Sequence, residues 1–168
     1  MHGTTLAQAR NAALAQVTTE YVVHLDADDQ IAAGYLEALL AGTADLRAPS
    51  VRYVRGARAR TAVMPRVAGH HHACTGECLP EGNWLVVGAL ARADLLRAVG
   101  GWEEWPLYED WALWLRCWKA GATVEAIPAA VYVAEARPGS RNRAPDIAYK
   151  NRVHAEIVES VLGGQVAA

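Results

Sequence analysis

Three carboxylates fall within four residues in His24-Leu25-Asp26-Ala27-Asp28-Asp29-Gln30-Ile31, just after the apolar run Tyr21-Val22-Val23. Two unit charges ~5 Å apart repel by roughly 3 kcal/mol at an effective dielectric near 20. Asp26, Asp28 and Asp29 therefore need water, hydrogen bonds or a cation. Hard oxygen ligands suit Mg2+ or Mn2+, ions that often bridge a few carboxylates to substrate phosphates. In open α/β sheets, ligands gather outside the carboxyl ends of strands, and this cluster follows such a strand candidate. One Asp capping the next helix, with the others solvated, accounts for the same residues. Spacing alone leaves both open.

Two further concentrations of reactive groups stand out. Glu109 and Asp110 open the strongest helical stretch, where negative charge favours the helix dipole and can cap free N–H groups. His70, His71, His72, Cys74 and Cys78 gather zinc-type ligands, and structural zinc sites use Cys or His in two pairs. Here all five lie in one nine-residue segment of the polar, breaker-rich run Gly69–Asn83, which reads as a flexible surface loop.

The elements that must position these groups alternate. Thr4 or Thr5 can cap a helix through Leu6, Ala9, Ala13, Leu14 and Val17. Glu20–Leu25 reads as a strand running into the acidic turn. Ile31, Tyr35, Leu36, Leu39 and Leu40 have helical spacing, ending near Gly42. Residues 49–66 suggest two short strands around Gly56, with five Arg among them. Trp84–Leu90 reads as a strand, Asp94–Val99 as a short helix stopped by Gly100-Gly101, and Tyr108–Ala120 as a helix with Trp111, Leu115 and Trp118 on one stripe. Thr123–Ile127 and Ala130–Ala134 read as strands, Pro138-Gly139-Ser140 as a turn, and Ile147–Leu162 as a final amphipathic helix. This is the rhythm of an α/β protein with a central sheet.

At 168 residues, 52% hydrophobic and 20% charged, the chain suits one soluble domain, residues 1–168. A formal net charge of −2 gives no reason to expect nucleic-acid or membrane-surface binding. No apolar run approaches the ~18–20 residues of a membrane helix, and Met1–Arg10 lacks the apolar segment of a signal peptide. Cytoplasmic residence is the expectation. Three unevenly spaced Cys argue for reduced thiols.

Ala9-Arg10-Asn11-Ala12-Ala13, followed by Tyr21–Leu25 and Asp26-Ala27-Asp28-Asp29, resembles the middle of family 2 glycosyltransferases. Val99-Gly100-Gly101-Trp102 and Tyr108-Glu109-Asp110-Trp111 are similar to later segments of that family, in the same order. The resemblance implies a GT-A fold, the Rossmann-like nucleotide-diphospho-sugar transferase architecture with a mixed sheet flanked by helices, here in truncated form. It implies transfer of a sugar from a nucleotide-sugar donor to an acceptor hydroxyl, with inversion and with Mn2+ or Mg2+ as cofactor. By the same resemblance Asp28 and Asp29 contact metal and ribose, with Asp26 also in the turn. Arg10 and Asn11 face the nucleotide, and Asp110 is the base with Glu109 beside it. Trp111 offers a face to a sugar or joins the core; Trp114 and Trp118 belong to the core, and Trp84–Gly88 floor the acceptor cleft. His154 is structural. The Gly69–Asn83 loop would be a lid.

Two departures from the pattern matter. The family's first half, a βαβ unit that binds the nucleotide base, has no counterpart before the Ala-Arg-Asn helix. A sheet edge is then exposed and invites a partner, possible as a homodimer mate. Near the Pro-Gly-Ser turn, where many relatives carry a His, this chain has Arg137, which can hold a diphosphate but not a metal. Two alternatives stay open: a catalytically inactive remnant that binds a nucleotide, a sugar or a protein, and a zinc-stabilised interaction module.

Overall fold

The computed structural model describes residues 3–63, 65–67, 74–137 and 145–163. The first helix, α1 (Leu6–Gln16), begins at a reciprocal cap: the Gln8 N–H donates to Thr5 Oγ1, and the Thr5 N–H donates to Gln8 Oε1. Then follow β1 (Tyr21–Val23), β2 (Gln30–Ile31), α2 (Tyr35–Leu40), β3 (Leu46–Arg55), β4 (Arg58–Ala59), a 3-10 helix (Gly76–Glu81), β5 (Leu90–Arg92), α3 (Ala93–Ala98), α4 (Glu109–Lys119), β6 (Val124–Glu135) and α5 (Ile147–Leu162). The α/β class and the mixed, helix-flanked sheet expected from the sequence are both present.

The sheet runs in the order β1-β5-β3-β6-β2, with β4 folded back on β3 as a hairpin. β3 and β6 are parallel; every other pairing is antiparallel. The sequence suggests two strands between Thr123 and Ala134, but β6 is one strand. Its register against β3 jumps from Pro49↔Ile127 to Ser50↔Val131. Pro49 and Pro128 lack the N–H that a regular ladder needs, so the irregularity falls where they sit. Ser50 Oγ donates to Pro128 O at 3.1 Å there.

Two other boundaries differ from the sequence reading. The second helix starts only at Tyr35, because Gln30 and Ile31 pair with Val133 and Tyr132. Residues 84–89 are not strand: Gly88 lies against the Tyr132 ring, and Tyr35 Oη donates to Gly88 O at 2.6 Å. The core is one cluster joining the sheet to α4, whose Trp111, Leu113, Trp114 and Leu115 are fully buried. Trp118 packs against it from the margin.

Only six residues, 24–29, separate β1 at one end of the strand order from β2 at the other. Four strand spacings amount to ~19 Å in a flat sheet, close to the limit of so short a segment even fully extended. This one is not extended, since the Asp29 N–H donates to Asp26 O at 3.0 Å. The sheet must therefore curl, and the acidic turn straps its two ends together. Among the described residues β1 pairs only with β5, so its other edge is bare, as expected. An apolar groove of about 450 Å³ lies beside it, lined by α1 and by Val22, Val23 and Leu25. No helix among the described residues is long and apolar enough to cross a membrane.

A Cβ at Gly88 would overlap the buried Tyr132 ring and crowd Tyr35 Oη. Gly88→Ala is expected to destabilise the protein by about 1–3 kcal/mol, read as a lower urea midpoint with an unchanged slope.

Candidate functional site

The acidic turn is not left uncompensated: each Asp has a partner of its own. Asp26 Oδ1 accepts from Arg10 Nη2 at 2.8 Å. Asp28 Oδ2 lies 3.5 Å from Arg137 Nη1, both side chains well exposed. Asp29 is bound on both oxygens by β6, accepting from Tyr132 Oη and from the Glu135 N–H, each at 2.8 Å. Burial nevertheless raises the Asp29 pKa; those two bonds oppose the shift, and the charges of Asp28 and Asp26 add to it.

Arg10, expected to face the nucleotide, is 7% exposed and is engaged by the fold itself. Its guanidinium bridges Asp26 and Glu109, the latter at 2.9 Å, and stacks over the Trp102 ring at 4.3 Å. A charge this deep must be paired or it costs several kcal/mol, and two carboxylates and an aromatic face meet that need. Asn11 is likewise spent on the fold: Nδ2 donates to Trp102 O at 2.8 Å, and the Trp102 N–H returns to Oδ1 at 2.7 Å. That clamp needs Gly101, whose φ of 73° suits glycine and whose Cβ would overlap Asn11. His24 accepts from Trp102 Nε1 at 3.3 Å; burial first, and the Arg10 charge second, push its pKa down to about 4.

Helix α4 starts from Tyr108, which adopts φ 60°, the sole non-glycine residue at positive φ among those described. Such a conformation costs roughly 1–2 kcal/mol and turns Glu109 toward Arg10 while leaving Asp110 on a cleft wall. Asp110 Oδ1 accepts from the Trp111 N–H at 2.8 Å and from Asn83 Nδ2 at 3.1 Å. Oδ2 accepts no hydrogen bond from the described residues. Burial, then the Glu109 charge, push the Asp110 pKa up to about 6, against the pull of those two bonds and of Arg10. The cleft holds about 240 Å³ between β3 and the Asn83–Val86 segment. Trp84 lines it.

Trp111 offers no face to a sugar. It is wholly buried between Tyr108 and His154, the latter stacked at 4.2 Å, and Nε1 donates to Leu79 O. Trp114 is buried with it, and burial lowers the His154 pKa. The lid expected at Gly69–Asn83 is also corrected over its described part. Cys74, Cys78 and Leu79 are buried, and the 3-10 helix packs against α4. His70, His71 and His72 lie outside the described residues, as do Gly69, Pro138-Gly139-Ser140, Arg141 and Arg143.

Sequence reasoning missed Asn83, Tyr132 and the Glu135 N–H. Tyr132 and Glu135 lie more than a hundred residues from Asp29, so no local pattern signals them. Among the described residues no group of three or more His, Cys, Asp or Glu is arranged to hold a metal. A divalent cation here would take Asp28, the carboxylate with no short hydrogen bond, and fill its shell with phosphate and water oxygens. That donor set suits Mg2+ or Mn2+.

A family model described as glycosyl transferase family group 2 matches residues 21–144. The chain belongs to that family. Solved structures share the fold of this group 2 chain. S. aureus TarS 1–349 in complex with UDP-GlcNAc aligns with a TM-score of 0.60 at 19% identity, over 94% of this chain and 48% of that one. TarS 1–349 alone gives 0.56 at 17% identity, over 95% and 52%. The chain thus spans about half the length of these relatives. No protein of curated function matches it.

Arg10→Met should destabilise the fold by about 3 kcal/mol, because two carboxylates lose their shared cation. Arg10→Met combined with Glu109→Gln should recover part of that loss in chemical denaturation.

Proposed function

We propose that the Asp110 cleft and the acidic turn form the active centre of an inverting glycosyltransferase using a nucleotide-sugar donor. The observation that carries this reading is Asp110: partly buried, raised to about 6, with Oδ2 on the wall of a cleft and accepting no hydrogen bond from the described residues. Ionised Asp110 takes the proton of the acceptor hydroxyl as that oxygen bonds to the anomeric carbon. The bond from the anomeric carbon to the diphosphate breaks on the opposite face, the nucleoside diphosphate leaves with the electron pair, and the proton stays on Asp110. Asn83 and the Trp111 N–H hold the carboxylate in position, and Arg10 holds the neighbouring Glu109 in an ion pair. Arg137 exchanges Asp28 for the donor's diphosphate, which its forked guanidinium fits. Asp28 would hold Mn2+ or Mg2+, which supplies Lewis-acid neutralisation of the leaving diphosphate. Asp29 fixes the turn to β6 and Asp26 fixes it to α1. TarS binds UDP-GlcNAc, so that donor is the first to test. Buried thiols outside any disulfide and a nucleotide-sugar donor support a cytoplasmic setting.

Asp110→Asn should lower turnover of UDP-GlcNAc by about 10²–10⁴-fold and leave donor affinity within a factor of two or so. Undiminished turnover would rule out the base role. A base acts only when ionised, so kcat/KM should fall as pH drops through about 6. Asn83→Ala removes a bond that lowers this pKa and should move that limb to higher pH.

A second reading is a domain that binds a donor without turning it over, favoured by the bare β1 edge. In that reading Asp110→Asn changes nothing measurable. The edge and its groove are met by a second copy of the chain, and light scattering should give twice the mass of 18.1 kDa. A monomer would leave the edge without this cover.

A further inference from the structure

The wall of the cleft facing Asn83 and Asp110 is made by β3 and the segment after β4: Val51, Tyr53, Val63, Pro65 and Arg66. Alternation along β3 places Arg55 on the face of Val51 and Tyr53. Register does the same for two more arginines. Arg58 pairs with Arg55, and the Arg60 N–H donates to Tyr53 O at 2.9 Å, setting Arg60 opposite Tyr53. Directly opposed residues share a face. Arg55, Arg58, Arg60 and Arg66 therefore flank one side of the cleft, all exposed.

Nothing among the described residues neutralises them. Between Asp45 and Glu77 the chain carries six Arg and no Asp or Glu, within a protein of net charge −2. Of the other described arginines, all but Arg52, which alternation puts on the opposite face of β3, have the guanidinium on a carboxylate, a carbonyl or an aromatic ring. Arg55, Arg58, Arg60 and Arg66 have no such partner among the described residues. Like charges directly across a ladder, as at Arg55 and Arg58, disfavour the hairpin. Anions supplied by a ligand would reverse that cost.

We infer that the acceptor is a hydroxyl-bearing polyanion, a polyol or glycan chain whose repeated anionic groups lie along Arg55, Arg58 and Arg60 while one hydroxyl reaches Asp110. The inference rests on the cleft being the acceptor side of a glycosyl transfer. Neighbouring guanidiniums on the hairpin stand ~5–7 Å apart at the backbone, so they match charges that recur along a chain better than a single anion. Each fork can take two oxygens of one group. A nucleic acid is the less favoured polyanion, because of the two aromatic residues lining the cleft Trp84 is 5% exposed, leaving Tyr53 as the main stacking surface for bases.

The test uses the full chain with three polymers of one backbone: dextran, phosphorylated dextran and carboxymethyl dextran. Binding to either anionic form, falling with salt and absent for neutral dextran, is expected; the two arms identify the anion. Arg55→Gln, Arg58→Gln and Arg60→Gln together should weaken that binding at least about tenfold and lower its log–log salt slope by about 2–3. The corresponding triple Lys variant should keep most of the slope with lower affinity. Equal binding of neutral and anionic dextran overturns the inference, as does a natively melting Gln variant with unchanged affinity. Tighter binding of single-stranded RNA of matched charge overturns it in favour of a nucleic acid. UDP-GlcNAc binding, measured on the wild-type protein alone, reports separately on the glycosyl transfer reading, which can fail while polyanion binding stands.

Discussion

The Arg10 guanidinium, held between Asp26 and Glu109, is the interaction on which the arrangement of the site depends. It joins α1 to the acidic turn, 16 residues on, and to the start of α4, 99 residues on. Glu109 would be costly where it stands, and so would the cation, but paired they tolerate a dry position, with the more exposed Asp26 completing the bridge. Asn11, next in sequence, clamps the Trp102 backbone, and Trp102 in turn floors Arg10. The Ala-Arg-Asn helix is therefore scaffolding: it sets the distance between two acidic segments and leaves the reacting groups to others.

That scaffolding sorts the carboxylates by environment. Glu109 and Asp110 are neighbours, yet one is tied to Arg10 and the other is raised to about 6 beside a cleft. Within the turn, Asp26 answers to α1, Asp29 to β6, and Asp28 to an exposed arginine that can let go. Environments that push adjacent acids apart are how one short motif can serve several roles. The net charge of −2 hides a separation of the same kind on a larger scale, acids in the turn between β1 and β2 and, on the β3–β4 hairpin, arginines without a carboxylate partner among the described residues.

What the sequence made legible was whatever is decided locally. The Thr5 cap, the bounds of α5 and the α4 stripe follow from capping and periodicity within a few residues. The acids of the site were visible for the same reason, since Asp-x-Asp-Asp and Glu-Asp are contiguous. Their partners were not, because Tyr132, Glu135 and Asn83 arrive by strand pairing and packing. Strand limits failed likewise: β6 reads as two strands because a proline interrupts the pattern, and Trp84–Leu90 reads as a strand because Trp84, Leu85, Val87, Ala89 and Leu90 are all buried, although only Leu90 joins the sheet. The Cys74–Glu81 run is polar and breaker-rich in composition, but packing against α4 accompanies burial of its Cys74, Cys78 and Leu79.

The strap formed by residues 24–29 also carries a consequence for how such a chain can vary. Its length is set from outside by the gap between the two ends of a curled sheet, and its content by the site. One added residue would slide Gln30 and Ile31 by a position on β6 and turn them to the opposite face. It would also carry Asp29 away from Tyr132 and the Glu135 N–H. Substitutions in the strap can be graded in their effects, whereas insertions and deletions cannot. Loop-length variation, the ordinary freedom of surface segments, is closed to this one.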